Sequence, residues 1–206
     1  MGPTVLVTGF EPFAGATVNP SAEIAKRLEG RRFGEAEIRT AILPVQHVSA
    51  AAAVGALLAA HDPLAVVHLG LAGERAQIAL ERIAINVMDY SIPDNEGFQA
   101  VDQRCVAEGP AAYFSTLPLR AVQTALLAAG IPAYLSATAG TYLCNFVMYT
   151  TLHALGARRA APPAGFIHLP LLPSMVSAAA PQQASMGLGL MLRGVELALE
   201  VITGRQ

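Results

Sequence analysis

The stretch Thr4-Val-Leu-Val-Thr-Gly-Phe-Glu-Pro-Phe-Ala-Gly15, which Asn19-Pro20 follow, contains the signals of one strand–turn–helix unit. Its first five residues form an apolar run that predicts a buried strand, and Gly9–Gly15 predicts a glycine-rich turn. Asn19 is a favourable N-cap and Pro20 suits the first helical position, so we expect a helix from here to about Leu28. Units of this kind build the layered α/β folds.

The rest of the chain continues the same alternation of strands and helices. Further strands are predicted at Glu37–Leu43, Leu64–Gly70, Pro132–Ser136, Ala164–Leu169 and the longer segment Ala76–Val87. Further helices are predicted at Val48–Ala60, Pro118–Ala129, Thr141–Leu155 and Ala184–Ile202. No repeat or linker interrupts them. We therefore expect one domain over residues 1–206, a three-layer α/β/α sandwich around a mostly parallel, mixed and twisted sheet.

The composition excludes several classes of protein. Hydrophobic residues are 53% and charged residues 14% of the 206 residues, so the chain can bury a large core. A net charge of -2 leaves no basic surface for nucleic acid. No apolar run approaches the roughly 20 residues that span a bilayer, and no signal peptide is recognisable. Two cysteines form neither a disulfide framework nor a metal cluster, so a cytoplasmic enzyme without a metal is expected.

Cys144 follows a predicted strand and a turn that contains Gly140, at the expected start of a helix. A thiol in the first helical turn is close to unpaired N–H groups and the positive end of the helix dipole, which favour the thiolate. The same N–H groups can stabilise an oxyanion on an attacked carbonyl group. Cys144 is therefore a candidate nucleophile, although an inert buried cysteine is common at such a position. Cys105 lies in a polar stretch and is expected to be structural or exposed.

A cysteine nucleophile needs a base, and the chain has five histidines. His168 is near the carboxyl end of a predicted strand, the edge where parallel α/β sheets place active sites, and the candidate cysteine also follows a strand end. His68 lies inside a buried strand, which is typical of a core histidine. His47, His61 and His153 occur at helix edges or turns, where capping or solvated roles are common. The pattern favours His168 but leaves open whether it is a base or a core histidine.

Glu81 is the one acid inside a strongly apolar run, Gln77–Ile85. Charged side chains are rarely buried without a partner, so Glu81 is expected either to pair with the adjacent Arg82 or to orient a histidine. It is the candidate third member of the catalytic group.

Several motifs together resemble one peptidase family. They are Val5–Gly15 with Asn19-Pro20, Glu81–Asn86, Ile92–Gly97, Ala111–Pro118, Ala139–Tyr149 and Gly165–Pro170, in family order and across nearly the whole chain. On these motifs the chain resembles pyroglutamyl-peptidase I (pyrrolidone carboxyl peptidase), the family that removes N-terminal pyroglutamate from peptides.

The resemblance implies a Cys144–His168–Glu81 triad and a thioester intermediate, with no metal or organic cofactor. It also implies an α/β/α sandwich, a cytoplasmic setting and a homotetramer. The substrate pocket for a neutral lactam is then lined by Phe10, Phe13, the backbone around Leu71, Tyr142 and Leu143. Without the resemblance, the two phenylalanines also fit hydrophobic plugs beneath the turn.

One residue departs from the family pattern. Many members have an arginine directly before Ile-Pro-Asp-Asn, where this chain has Ser91. We expect the specificity to be kept, with a changed rate or gating.

Three other functions compete with this interpretation. A nucleotide-binding enzyme is disfavoured because Gly9–Gly15 fits neither G-x-G-x-x-G nor G-x-x-x-x-G-K-[ST]. A serine hydrolase is disfavoured because no G-x-S-x-G elbow occurs. A catalytically inactive peptide-binding module would keep the pocket without needing the triad.

Overall fold

The computed structural model describes residues 2–176 and 182–204, which contain nine strands and six helices. The strands are β1 Thr4–Phe10, β2 Arg32–Phe33, β3 Ala36–Leu43, β4 Ala65–Leu71, β5 Ile78–Glu81, β6 Ile83–Ile85, β7 Ala112–Phe114, β8 Ala133–Ser136 and β9 Ala164–Leu169. The helices are α1 Pro20–Leu28, α2 His47–His61, α3 Leu119–Ala128, α4 Leu143–Gly156, α5 Pro173–Val176 and α6 Leu188–Ile202.

Seven strands form one sheet in the order β2-β3-β1-β4-β9-β5-β8. The central strands β3, β1, β4 and β9 are mutually parallel. Strand β5 runs antiparallel to β9 and parallel to β8, and β2 is antiparallel to β3. The sheet is therefore mostly parallel but mixed, which confirms the predicted fold class.

Helices cover both faces of this sheet. Successive strand residues point to opposite sides, and in β1 the residues on both sides are apolar and need a covering layer. Val5 and Val7 of β1 belong to a core with apolar residues of α1, α3 and α6. Leu6, between them, belongs to a second core with residues of α2 and α4. The result is the expected three-layer arrangement.

The first strand–turn–helix unit forms as predicted at its helical end. The Asn19 side chain accepts a hydrogen bond from the Ser21 N–H at 3.1 Å, and Pro20 begins α1. Strand β1, however, continues through Gly9 to Phe10, so the turn is shorter than predicted. A Cβ on Gly9 would lie 2.5 Å from the Ser21 carbonyl oxygen. Glycine thus permits the start of α1 to pack directly on β1.

The prediction of one long strand over Ala76–Val87 is wrong. The chain changes sheets at Arg82, whose N–H donates to the Ser136 carbonyl at 3.0 Å while its own carbonyl accepts from the Ser115 N–H at 2.9 Å. Strand β5 before it belongs to the large sheet, and β6 after it pairs with β7 in a small antiparallel sheet. Alternating hydrophobicity continues across the change of sheet, so the pattern alone does not reveal it.

Two helix boundaries also differ from the predictions. Helix α6 begins at Leu188 rather than Ala184, because Met186 donates its N–H to the Leu171 carbonyl and buries its side chain before the helix begins. Helix α4 begins at Leu143, and Thr141 lies in the preceding turn.

Candidate active site

A cavity of about 350 Å³ opens beside the carboxyl ends of β1 and β4 and the N-terminus of α4. It brings together Cys144 and His168 with the five residues predicted for substrate binding, which are Phe10, Phe13, Leu71, Tyr142 and Leu143. Its volume is within the range of small-molecule sites.

Cys144 is the second residue of α4. Tyr142 is the N-cap, with an extended backbone and no side-chain cap, and its carbonyl accepts the first helical hydrogen bond, from Phe146. In the described part of the chain, no carbonyl group accepts from the N–H groups of Leu143, Cys144 or Asn145, and the Cys144 N–H acts on its own thiol and lowers the thiol pKa. These N–H groups are therefore free to stabilise negative charge near the sulfur.

Gly70 allows the Cys144 thiol to approach the sheet next to His168. In the parallel pairing of β4 with β9, Gly70 is level with His168. A Cβ on Gly70 would lie 3.0 Å from the Cys144 Sγ and 2.6 Å from the Phe166 ring. Any larger residue at position 70 would therefore compete with the thiol for the same space.

His168 and Glu81 form a buried hydrogen-bonded pair. Glu81 is opposite Phe166 in the antiparallel β5–β9 pair, so it is a diagonal neighbour of His168 on the same face. The His168 Nδ1 is 2.7 Å from the Glu81 Oε1, and both residues are buried. Because an ionised carboxylate can only accept, Nδ1 carries the proton, which leaves Nε2 as the acceptor on the cavity side.

The expectation that the strands before Cys144 and at His168 have their carboxyl ends on one edge of a parallel sheet is wrong. Strand β8 instead runs opposite to β9, and its last residue, Ser136, is level with Glu81 and Phe166. Residues 137–142 then carry the chain back to the start of α4, where the Thr141 hydroxyl donates to the Asp89 carbonyl at 2.6 Å.

Arg75 is the residue that sequence reasoning missed. Its Nη1 donates to the same Glu81 Oε1 that His168 contacts, and its side chain lines the cavity. The adjacent Arg82, expected as a possible partner of Glu81, is exposed and makes no side-chain contact with it among the residues described. A buried acid signals that a cation is needed, but only the fold of the β4–β5 connection selects Arg75.

Burial controls the protonation of the resting site. It raises the pKa of Cys144 to about 12; the negative charge of Glu81 acts in the same direction, and the positive charge of Arg75 opposes it. Burial also lowers the pKa of His168, and the hydrogen bond to Glu81 only partly opposes this. Both shifts favour a neutral thiol beside a neutral imidazole at pH 7. Burial thus opposes the expected effect of the helix N-terminus on the thiol and is the largest contribution to its pKa.

The five predicted pocket residues occupy distinct positions around the cavity. Phe10 is buried at the end of β1, whereas Phe13 is half-buried on the turn, 6.1 Å from the Tyr142 ring. The Tyr142 hydroxyl donates to the Pro93 carbonyl at 3.1 Å. Leu71 ends β4, and Leu143 begins α4. Ser91, the departure from the family pattern, is also in the lining.

The remaining candidates lie elsewhere. His68 is fully buried between the hydroxyls of Thr8 (2.7 Å) and Thr151 (3.0 Å), and burial lowers its pKa to about 3, which confirms a core histidine. The Cys105 Sγ lies 3.6 Å from the carbonyls of Ile85 and Val87 and outside the cavity lining.

Neither a membrane-spanning helix nor a cluster of metal-ligand side chains occurs among the described residues. Over 2–176 and 182–204, no helix is long and apolar enough to cross a bilayer. The same residues contain no group of three or more His, Cys, Asp or Glu side chains arranged to hold a metal ion.

Comparison with known proteins assigns the chain to a family. The sequence profile of the family described as pyroglutamyl peptidase matches residues 3–205. The chain belongs to the pyroglutamyl peptidase family. It is 48% identical over 203 residues to a pyrrolidone-carboxylate peptidase of Gloeobacter violaceus, with 98% of each chain covered. It is 45% identical to pyrrolidone-carboxylate peptidase 1 of Ralstonia nicotianae, with 99% and 94% covered.

Solved structures of pyroglutamyl peptidase family members have the same fold. A mutant form of the pyrrolidone carboxyl peptidase of Pyrococcus furiosus matches with a TM-score of 0.95 and 41% identity, and 98% of each chain is covered. The pyrrolidone carboxyl peptidase of Thermococcus litoralis matches with a TM-score of 0.95 and 40% identity, covering 98% of this chain and 94% of the other. The resemblance found from motifs is therefore confirmed.

Proposed function

We propose that the protein is a cysteine peptidase that hydrolyses the N-terminal pyroglutamyl residue from peptides and pyroglutamyl amides through Cys144, His168 and Glu81. The observation that carries the proposal is that His168, whose Nδ1 is 2.7 Å from the buried Glu81 carboxylate, lines the same cavity as a thiol at a helix N-terminus. Membership of the pyroglutamyl peptidase family supports the substrate class.

In this mechanism the neutral resting pair reacts only when substrate is bound. The His168 Nε2 accepts the Cys144 thiol proton as Sγ attacks the pyroglutamyl carbonyl carbon, and the oxyanion forms beside the free N–H groups of α4. The carbon–nitrogen bond then breaks, and Nε2 returns the proton to the leaving amine. Water, deprotonated by Nε2, hydrolyses the thioester to pyroglutamate and regenerates the thiol. Glu81 holds the imidazole and stabilises its positive charge in each step.

The cavity walls favour a flat, uncharged ring. Phe13 and Tyr142 provide aromatic surface, and Leu71 and Leu143 provide aliphatic surface. A prolyl group has the same ring size but a charged amine, whose desolvation in this site is costly. We therefore expect pyroglutamyl amides to be cleaved and prolyl amides to be rejected.

The nucleophile assignment is tested by release of a chromogenic amine from a pyroglutamyl amide. Cys144→Ala is expected to abolish turnover, whereas the matched Cys105→Ser variant is expected to keep it. Wild-type turnover in Cys144→Ala would overturn the mechanism. A wild-type protein that binds a pyroglutamyl peptide but never cleaves it would instead support the peptide-binding module.

The cellular setting and assembly are proposed on the resemblance alone. We propose a homotetramer that acts in the cytoplasm on small peptides without a cofactor. Light scattering of the purified protein tests the homotetramer, and fractionation of the source cells tests the cytoplasmic location. Full activity after dialysis against a chelator is expected if no metal cofactor is needed.

A further inference from the structure

The charge arrangement around Glu81 contains a feature that the triad does not explain. Oε1 accepts from both His168 and Arg75, whereas Oε2 is buried and accepts no hydrogen bond from the residues described. A buried carboxylate with one unbonded oxygen needs a nearby opposite charge. His168 is neutral in the resting site, because burial lowers its pKa, so the charge that compensates Glu81 is that of Arg75.

Arg75 also connects β5, which carries Glu81, to the end of β8 and to the segment that leads to Cys144. Beyond Glu81 on β5, its Nη1 donates to the Ser136 hydroxyl at the end of β8, at 3.3 Å. Its Nη2 donates at 3.0 Å to the carbonyl of Thr138, in the connection that leads to Cys144. The guanidinium group also lies over the Tyr134 ring, 5.9 Å from its centroid. One planar, multidentate cation thus fixes the carboxylate relative to the segment that precedes the thiol.

We propose that Arg75 is a positioning residue of this active site, which holds the Glu81 carboxylate in place beside His168 and supplies the positive charge that this buried carboxylate needs. The proposal rests on the proposed function of the Cys144–His168–Glu81 group and deepens it. Arg75 acts through Glu81 and not on the substrate.

The electrostatic effects have the direction that this role requires. Among the residues described, Glu81 on β5 and Arg75 on the β4–β5 connection carry the charges that act on His168, and Cys144 on α4 and Glu74 on that connection line the same cavity. The charge of Glu81 raises the pKa of His168, and the charge of Arg75 lowers it. Without Arg75, the imidazolium would be the only cation available to the buried carboxylate, so His168 would be protonated at higher pH.

The test compares Arg75→Gln and Arg75→Lys with wild type, with Arg82→Gln as the matched control. Arg82 is the neighbouring exposed arginine, so its variant removes the same charge without touching Glu81. NMR titration of the His168 Cε1–H in the unliganded protein measures its pKa, and kcat/KM against pH for a pyroglutamyl amide measures the consequence for catalysis.

Arg75→Gln is expected to raise the pKa of His168, to move the acid limb of kcat/KM to higher pH and to lower kcat by about 10²-fold, because the carboxylate loses its fixed orientation. Arg75→Lys is expected to keep the pKa of His168 near its wild-type value but not to keep the wild-type kcat, since an ammonium group does not reproduce the forked hydrogen bonds to Ser136 and Thr138. Arg82→Gln is expected to change neither the pKa of His168 nor kcat.

The results distinguish failure of this proposal from failure of the proposed function. A folded Arg75→Gln protein with an unchanged His168 pKa and acid limb would overturn the positioning role, even if its stability were lower. If Arg75→Gln does not fold, Arg75→Lys decides: wild-type kcat in that variant overturns the role, and a reduced kcat with a near-normal pKa supports it. Loss of the triad mechanism would appear separately, as turnover by Cys144→Ala, and leaves the NMR titration valid.

Discussion

Gly70→Ala introduces one methyl group at the point where the thiol approaches the sheet. Its Cβ would lie 2.6 Å from the Phe166 Cζ and 3.0 Å from the Cys144 Sγ. Carbon atoms in contact are normally about 3.5–4.0 Å apart, so the ring has to retreat by about 1 Å and the sulfur by a smaller distance. Phe166 is fully buried, and a packed core absorbs such a shift at a cost of about 1–3 kcal/mol.

The same shift moves the reacting atom. A displacement of about 1 Å at a catalytic group can lower the rate about 10²-fold. We therefore expect Gly70→Ala to lower kcat for a pyroglutamyl amide by about two orders of magnitude, with a smaller change in KM. Chemical denaturation measures the stability loss, and steady-state kinetics at a temperature where the variant is fully folded measures the catalytic loss.

Gly55→Ala provides the matched control. Gly55 lies inside α2, and a Cβ there would meet nothing within 4 Å. Alanine favours helix over glycine by about 0.5–1 kcal/mol, so this variant is expected to be more stable and fully active. If Gly70→Ala kept wild-type kcat while folded, the thiol would not depend on the space that Gly70 provides, and the site geometry described above would be wrong.

Three further predictions test other parts of the structure. Asn145→Ala removes the amide that bonds the Ile85 N–H and carbonyl and the Val87 carbonyl, all at 2.9 Å, so denaturation should show a loss of about 1–3 kcal/mol or more; no loss would contradict this. The neutral core residue His68, with a pKa of about 3 against 6.5 unfolded, should lower the unfolding free energy by up to about 1.4 kcal/mol per pH unit as pH falls below 6.5. His68→Leu should remove that slope, and an unchanged slope would place its origin elsewhere. Ser91→Arg adds a cation to the cavity lining and should change kcat or KM for a pyroglutamyl amide; unchanged values would remove the hypothesis that Ser91 alters the rate.

The sequence predicts structure best where a helix or strand depends only on residues that are adjacent in the chain. The N-cap at Asn19, the start of α1 and the buried strand around Val66 require only neighbouring residues, and all three occur. The change of sheet at Arg82 and the late start of α6 depend on hydrogen bonds to Ser115, Ser136 and Leu171, which are distant in sequence. Periodicity contains no information about such partners.

The candidate site shows the same division. The apolar surroundings of Glu81 indicated correctly that it needs a partner. They did not distinguish Arg82, its neighbour in sequence, from Arg75, its neighbour in space. The protonation of Cys144 was also beyond the sequence argument, because the helix N-terminus is visible in the pattern but the degree of desolvation is a property of the packed protein.

Affinity labelling tests the central claim most directly. A chloromethyl ketone that carries a pyroglutamyl group places an electrophilic carbon beside the nucleophile, and a thiol displaces its chloride irreversibly. We predict one adduct per chain, on Cys144 by peptide mapping, with activity lost in proportion and protection by excess pyroglutamate. The prolyl analogue should react far more slowly. Labelling of Cys105 in place of Cys144, or full labelling of Cys144 with activity retained, would contradict the assignment of Cys144 as the nucleophile of a pyroglutamyl peptidase.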